Sequence, residues 1–324
     1  MTGDRHYEWR GKRGPSLAGL VGGASVWLDP DGVSAAFGER EHNGTTCIDG
    51  ARLVLPERFA PVRRDPTMLR RAPARPLRGL LAQACARLPA GRVALALSGG
   101  VDSAVLAALL GTRATVYTLV PDLSGYGEEA EASAVAARLG LPLRRVHVGA
   151  EDYVQTLPAV IAACECPLYN LHPVSRYLLA RAVRADGLDV LVTGDGADEV
   201  FRGTSGADYL PIVDALVRAA GLVPATPFLA PGVAPFLAED PGKRALRALA
   251  LELGIPEEIA LRPKQPRFAP PIDLTALWDA ERIDALARML GRTASAGSDR
   301  ERVGWSTLAL FSRGFPGLAL LCAA

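Results

Sequence analysis

Arg92-Val-Ala-Leu-Ala-Leu-Ser-Gly-Gly-Val-Asp-Ser103 passes without interruption from an apolar run into a glycine turn and on into a helical pattern. Residues 92–97 are rich in Val, Ala and Leu and are closed by Gly99 and Gly100, so they read as a buried strand. A helix is expected over 103–110. At the junction, glycines let backbone N–H groups approach an anion closely, and the helix N-terminus adds a favourable dipole. Ser98 and Ser103 add hydroxyl donors. Asp102 conflicts with an anion site unless a divalent cation stands between carboxylate and phosphate. A plain strand–turn–helix corner, with Asp102 and Ser103 as helix caps, accounts for the glycines but not for the whole pattern.

Outward from this turn, short apolar runs alternate with helical spacing. Strands are expected over 115–120, 143–148 and 189–193. Helices are expected over 128–139, stopped by Gly140, and over 152–164 and 173–184. This alternation implies an α/β fold with a doubly wound parallel sheet covered on both faces. Ligands of such sheets bind beyond the carboxyl ends of the strands. Residues 204–324 look mainly helical, broken by Pro-rich loops. Residues 1–75 are expected to form a small irregular or β-rich appendage, with apolar runs at 24–28 and 48–55 and a Pro/Arg-rich linker over 56–76. Residues 76–324 then make up the main domain. No internal repeat is visible.

The strand at 189–193 runs into Gly194-Asp-Gly-Ala-Asp-Glu-Val-Phe-Arg-Gly203. Asp195, Asp198 and Glu199 fall within five positions at a strand end, where their mutual repulsion calls for a cation or a substrate amine. A solvated acidic turn capping the next helix is the bland reading. The partner motif at the same expected sheet edge argues against it.

Ser98-Gly-Gly-Val-Asp-Ser103 resembles the pyrophosphate loop of N-type ATP pyrophosphatases, the adenine nucleotide α-hydrolase-like group. It lacks the G-x-x-x-x-G-K-[ST] pattern of γ-phosphate transfer enzymes. The second motif narrows this to the asparagine synthetase family, which includes β-lactam synthetase and lasso peptide cyclase. Thr226-Pro-Phe-Leu229 and Arg262-Pro-Lys-Gln265 are similar to two further elements of that family. The resemblance covers roughly residues 77–275. It implies ATP and Mg2+ as cofactors, with Asp102 and Asp198 holding the metal. Leu97 would line the nucleotide, Ser98, Gly99, Gly100 and Ser103 would cradle the phosphates, and Leu119 and Gly194 would meet the adenine by backbone. Asp195 would orient or deprotonate an incoming amine, Glu199 would complete the acidic turn, and Lys264 would stabilise charge as pyrophosphate leaves. The activity implied is an AMP-forming carbon–nitrogen ligase.

The sequence also departs from that family. Residue 2 is Thr rather than a nucleophilic Cys, and only about 75 residues precede the core, so a glutaminase domain is not expected. Ammonia, or an organic amine, is the expected acceptor. Val223-Pro-Ala225 and Ala230 replace polar residues usual around Thr-Pro-Phe-Leu. That loss points away from aspartate, toward a less charged or a larger, more apolar acid, either a small molecule or one carried on a peptide or carrier protein. A separate ammonia-supplying or carrier protein and a homodimer are compatible partners.

Composition excludes little else. The formal net charge of +1 offers no electrostatic case for nucleic acid or an anionic membrane. No apolar run reaches the length of a membrane span, and residues 1–13 lack the apolar core of a signal peptide, so a cytoplasmic location is expected. Cys47, Cys85, Cys164, Cys166 and Cys322 are odd in number and irregular in spacing, which suits free thiols. His6, His42, His147 and His172 show no metal spacing. Two alternatives stay open: a non-catalytic binding subunit, and an RNA-thiolating pyrophosphatase using the Cys164/Cys166 pair and the basic 63–78 stretch.

Overall fold

A computed structural model describes residues 5–38, 45–56, 59, 77–122, 126–202, 209–238, 240, 242–263 and 271–318. Eight strands are described: β1 (His6–Trp9), β2 (Lys12–Gly14), β3 (Ala51–Val54), β4 (Val93–Ala96), β5 (Ala114–Pro121), β6 (Leu143–Val148), β7 (Val190–Val192) and β8 (Val223–Ala225). The helices are α1 (Leu17–Val21), α2 (Pro30–Ala36), α3 (Leu77–Ala86), α4 (Val101–Leu110), α5 (Glu129–Leu139), α6 (Ala150–Cys164) and α7 (His172–Ala185). They continue with α8 (Ala197–Arg202), α9 (Leu210–Ala219), α10 (Val233–Ala238), α11 (Arg244–Glu252), α12 (Glu257–Ala260), α13 (Ala280–Met289) and α14 (Asp299–Arg313).

The central sheet has the order β6-β5-β4-β7-β8, and every pairing is parallel. The chain winds from β4 outward to β6, then returns to the other side of β4 with β7. The crevice beside β4 is therefore the switch point at which such sheets bind ligands. Alternation along the strands sorts the core onto two faces. Val93, Leu95, Val116, Val190 and Val192 pack under α3, α4 and α11. Ala94, Tyr117 and Leu191 face α7 and α9 instead. The expected strands are all present to within a residue or two. The fifth strand, β8, escapes a sequence reading because it is three residues long, half exposed and centred on Pro224.

Residues 5–38 and 45–56 form a three-stranded antiparallel sheet, order β2-β1-β3, together with α1 and α2. This unit shares its apolar core with the rest of the chain: Tyr7, Trp9, Leu17 and Ile48 cluster with Tyr153 and Leu157 of α6 and with Trp305 and Leu308 of α14. Of the linker at 56–76, only Pro56 and Phe59 lie among the described residues. Among the described residues no helix is long and apolar enough to cross a membrane.

A single acidic side chain fastens the unit. Glu165 follows α6 in the left-handed conformation, φ +52°. Its carboxylate accepts from the backbone N–H of Leu17 at 2.9 Å and of Ala18 at 2.8 Å, and from Ser16 Oγ at 2.7 Å. These are otherwise orphaned donors at the start of α1. Hydrogen bonds to a charged group contribute about 1.5–3 kcal/mol, so Glu165→Ala is expected to lower unfolding stability by about that amount. Urea denaturation checks this; an unchanged midpoint would mean that the contact contributes nothing.

Candidate active site

The two motifs meet at the carboxyl edge of the central sheet. Leu97 follows β4 and donates its backbone N–H to Tyr117 O at 2.8 Å, which carries the sheet one residue further. Serine hydroxyls then fold the turn on itself. Ser103 Oγ donates to Ser98 O (3.1 Å) or Gly100 O (3.2 Å) and accepts from Ser98 N at 3.1 Å. Ser98 Oγ lies 3.0 Å from Ser103 Oγ and accepts from Gly100 N at 3.3 Å. Ser103 is 2% exposed and acts as the internal staple of the loop, with Ser98 on its outer side. Gly100 is the N-cap of the ten-residue α4 and supplies no side-chain cap. The first-turn N–H groups of α4 therefore face the crevice with the dipole behind them.

Glycines in this region stand where a Cβ would meet close neighbours. A Cβ on Gly194 would stand 3.2 Å from Asp102 Cβ and 3.3 Å from Ser103 N, so the turn after β7 lies directly against the start of α4. A Cβ on Gly99 would stand 2.7 Å from Glu131 Cβ and 2.8 Å from an Arg262 guanidinium nitrogen. Arg262 pairs with Glu131 at 2.9 Å. Its carbonyl accepts twice from Arg247 at 3.1 Å, and Ala260 O accepts a third Arg247 N–H at 2.8 Å. Arg247 thus holds Arg262 beside the phosphate-type turn. Lys264 and Gln265 lie outside the described residues.

Asp102, in the first turn of α4, and Asp198, in the first turn of α8, converge on one point. Lys243 Nζ occupies it, 2.8 Å from both Asp102 oxygens and 2.8 Å from Asp198 Oδ1. The ammonium is a stand-in for a cation: two carboxylates from two different helices already bracket one cation-sized position, with oxygen donors of the kind Mg2+ takes. The donor set fits a metal bridging to phosphate. No cluster of three or more acidic, His or Cys side chains with metal geometry occurs among the described residues. A metal here would therefore complete its shell from substrate and water. Glu199, next in the chain, is half-buried in the same turn.

Lys243 is not among the residues that the sequence motifs single out. It stands at the N-cap of α11, φ +54°. Its N–H donates to Asp240 O at 2.9 Å, while the buried Asp240 carboxylate caps α11 through Ala245 N at 2.7 Å. A left-handed residue just ahead of an amphipathic helix was the only available signal, and sequence does not reveal φ.

Asp195 is placed differently. Arg176, on α7, pairs with it at 3.1 Å, and both side chains are largely buried. Burial on its own lowers the Arg176 pKa, but Asp195 and a hydrogen bond with Tyr209 outweigh it and hold the guanidinium more firmly charged. Asp195 thus enters the site already charge-compensated. Leu119, half-buried near the end of β5, and Gly194 sit on the same carboxyl edge on either side of Leu97. The site residues that the sequence singles out are therefore gathered at one edge, Lys264 excepted.

The cysteines stand apart from it. Burial pushes Cys164 up to about 12 and Cys85 up to about 11, and it raises Cys47 and Cys166 as well. Such thiols stay protonated and unreactive. Cys322 lies outside the described residues.

Residues 76–220 match the asparagine synthase family. That is a little under half of the chain, and over it the sequence is similar to asparagine synthase. Amidase chry2 of Gibberella zeae is 33% identical over 129 residues, 34% of this chain and 19% of that protein. A putative glutamine-hydrolyzing asparagine synthetase of Mycobacterium tuberculosis is 32% identical over 110 residues, 33% of this chain and 17% of that protein. The matches thus span about a fifth of the length of these curated relatives. A solved NMN synthetase from Francisella tularensis overlays 76% of this chain and 95% of its own, loosely, at 18% identity and a TM-score of 0.37.

Gly196 offers a direct test of how the chain builds this edge. Its φ is +90°, and a Cβ would fall 2.5 Å from Leu229 Cγ, in the Thr226-Pro-Phe-Leu229 element. Gly196→Ala is expected to cost at least about 1–3 kcal/mol from backbone strain alone. A melting temperature equal to that of the unsubstituted protein would contradict this packing.

Proposed function

We propose that this chain is an ATP-dependent amide-forming ligase that adenylates a carboxylic acid and passes the acyl group to ammonia or an amine. The supporting observation is the convergence of Asp102 and Asp198 on one cation position beside the uncapped N-terminus of α4. In the first step a carboxylate oxygen attacks the α-phosphorus of ATP, the α–β phosphoanhydride bond breaks, and pyrophosphate leaves. In the second step an amine attacks the acyl carbon, loses a proton, and AMP leaves with the bonding pair. Asp102 and Asp198 would hold magnesium, which neutralises phosphate charge and fixes the triphosphate geometry.

The chain's own residues do the rest by position, as is usual for phosphoryl and nucleotidyl chemistry. The N–H groups from Gly99 to Ser103 would cradle phosphate oxygens. Leu97, Leu119 and Gly194 would offer backbone to the adenine. Asp195, held by Arg176, would accept a hydrogen bond from the incoming amine and orient it. Glu199 would add negative charge on the amine side. Lys264 would face the departing pyrophosphate. The acid is proposed to be other than aspartate, in specialised metabolism, and free or carrier-bound.

Incubation of the chain with ATP, magnesium and a panel of carboxylic acids is expected to give acid-dependent ATP–pyrophosphate exchange, with AMP as the final nucleotide. ADP and orthophosphate as primary products would overturn the reading. Asp102→Asn and Asp198→Asn are each expected to lower exchange by about 10²-fold or more, since each removes a carboxylate from the cation position. Near-full exchange in either variant would remove that carboxylate from the metal site.

Lys264→Ala is expected to lower turnover by roughly 10²–10³ while leaving ATP affinity nearly unchanged. A cation acting only on transition-state charge contributes about 2.7–4 kcal/mol. Weakened ATP binding with unchanged turnover at saturation would assign Lys264 to ground-state binding instead.

A further inference from the structure

The Lys243 ammonium lies where a divalent cation would lie. It is 14% exposed, and it makes three 2.8 Å contacts to the two carboxylates. Its position is set from both sides. The Asp240 turn fixes its backbone, and α11 is anchored by Leu246 and Leu249 in the same apolar core as Ala104 and Val105 of α4. Lys243 is therefore delivered to Asp102 by the packing of one helix on another, not by a surface side chain that drifted there.

We infer that Lys243 is a built-in counter-cation that keeps free divalent metal out of the site until nucleotide arrives. This inference rests on the reading of Asp102 and Asp198 as a metal-nucleotide site. Its physical basis is competition. Without nucleotide, a metal ion would have to displace an ammonium already bonded to the same oxygens, and the displaced charge would remain beside the incoming one. With a triphosphate present, the lysine has new anionic acceptors in the crevice. The carboxylates then become free to bridge to phosphate through metal. Lys243 is in this sense a positioning residue: it holds Asp102 and Asp198 in register against their mutual repulsion in the resting protein and yields them when metal enters with ATP.

The test uses Mn2+ as the probe and the full chain as the receptor. Loss of the free Mn2+ electron-paramagnetic signal is titrated with and without a non-hydrolysable ATP analogue bridged by carbon between the α- and β-phosphates. The original chain is expected to take up Mn2+ only with the analogue. Lys243→Met and Lys243→Gln are expected to take up Mn2+ without it, with affinity raised about tenfold or more. Thermal melting supplies a second readout: Mn2+ alone should raise the melting temperature of both variants and leave that of the original chain unmoved.

Lys243→Arg should behave as the original chain does. Equal free-Mn2+ affinity in all forms, with analogue-dependent uptake intact, would overturn the inference while leaving the nucleotide site standing. Tight Mn2+ uptake by the original chain without nucleotide would also overturn it. Failure of every form to take up Mn2+ with the analogue would overturn the nucleotide-site reading and this inference with it.

Discussion

At the end of β7 the backbone of Gly194 runs against the first turn of α4, where a Cβ on Gly194 would stand 3.2 Å from Asp102 Cβ. This contact is where the two halves of the sheet's winding meet. β4 and β7 are neighbours, so the turns that follow them must share one small volume. Glycine at 194 lets the turn after β7 lie close against the start of α4. The consequence is that Asp102 and Asp198, 96 residues apart in sequence, point at one position. Carboxylates forced so close need a cation, and the chain supplies one from a third segment through Lys243.

Around that knot, charge is compensated pairwise. Lys243 serves Asp102 and Asp198, Arg176 serves Asp195, and Arg262 serves Glu131. Each partner comes from a different element of the fold, and most are well shielded from solvent. Removing one member of such a set leaves a charge with little water to solvate it, which costs far more than the pair gains over apolar packing. The arrangement is thus better suited to holding groups in place than to adding stability. That is what chemistry depending on in-line geometry requires.

The N-terminal unit and the C-terminal helices belong to the same construction. Their shared core of Tyr7, Trp9, Trp305 and Tyr153 lies on the α6 side of the sheet, away from the α4 crevice. The Glu165 cap ties α1 to the end of α6, just ahead of the segment leading into α7 and Arg176. Packing on this side therefore bears on Asp195 through the seating of α7, without any contact between the appendage and the phosphate-type turn being required.

Local sequence determined the strands at 93–96, 114–121, 143–148 and 190–192, the glycine turns, and the residue types of the candidate site, because periodicity and turn chemistry are short-range properties. It also carried the family resemblance, since both motifs are contiguous strings. Tertiary structure alone decided what each charged group faces. Lys243 meets Asp102 across 141 positions, and Arg176 meets Asp195 across 19, through helix packing that no local pattern encodes. The fifth strand likewise exists only because β7 offers it an edge: three residues around a proline have no strand preference of their own. Side chains and turns are written locally, whereas their partners are chosen by which elements the core brings side by side.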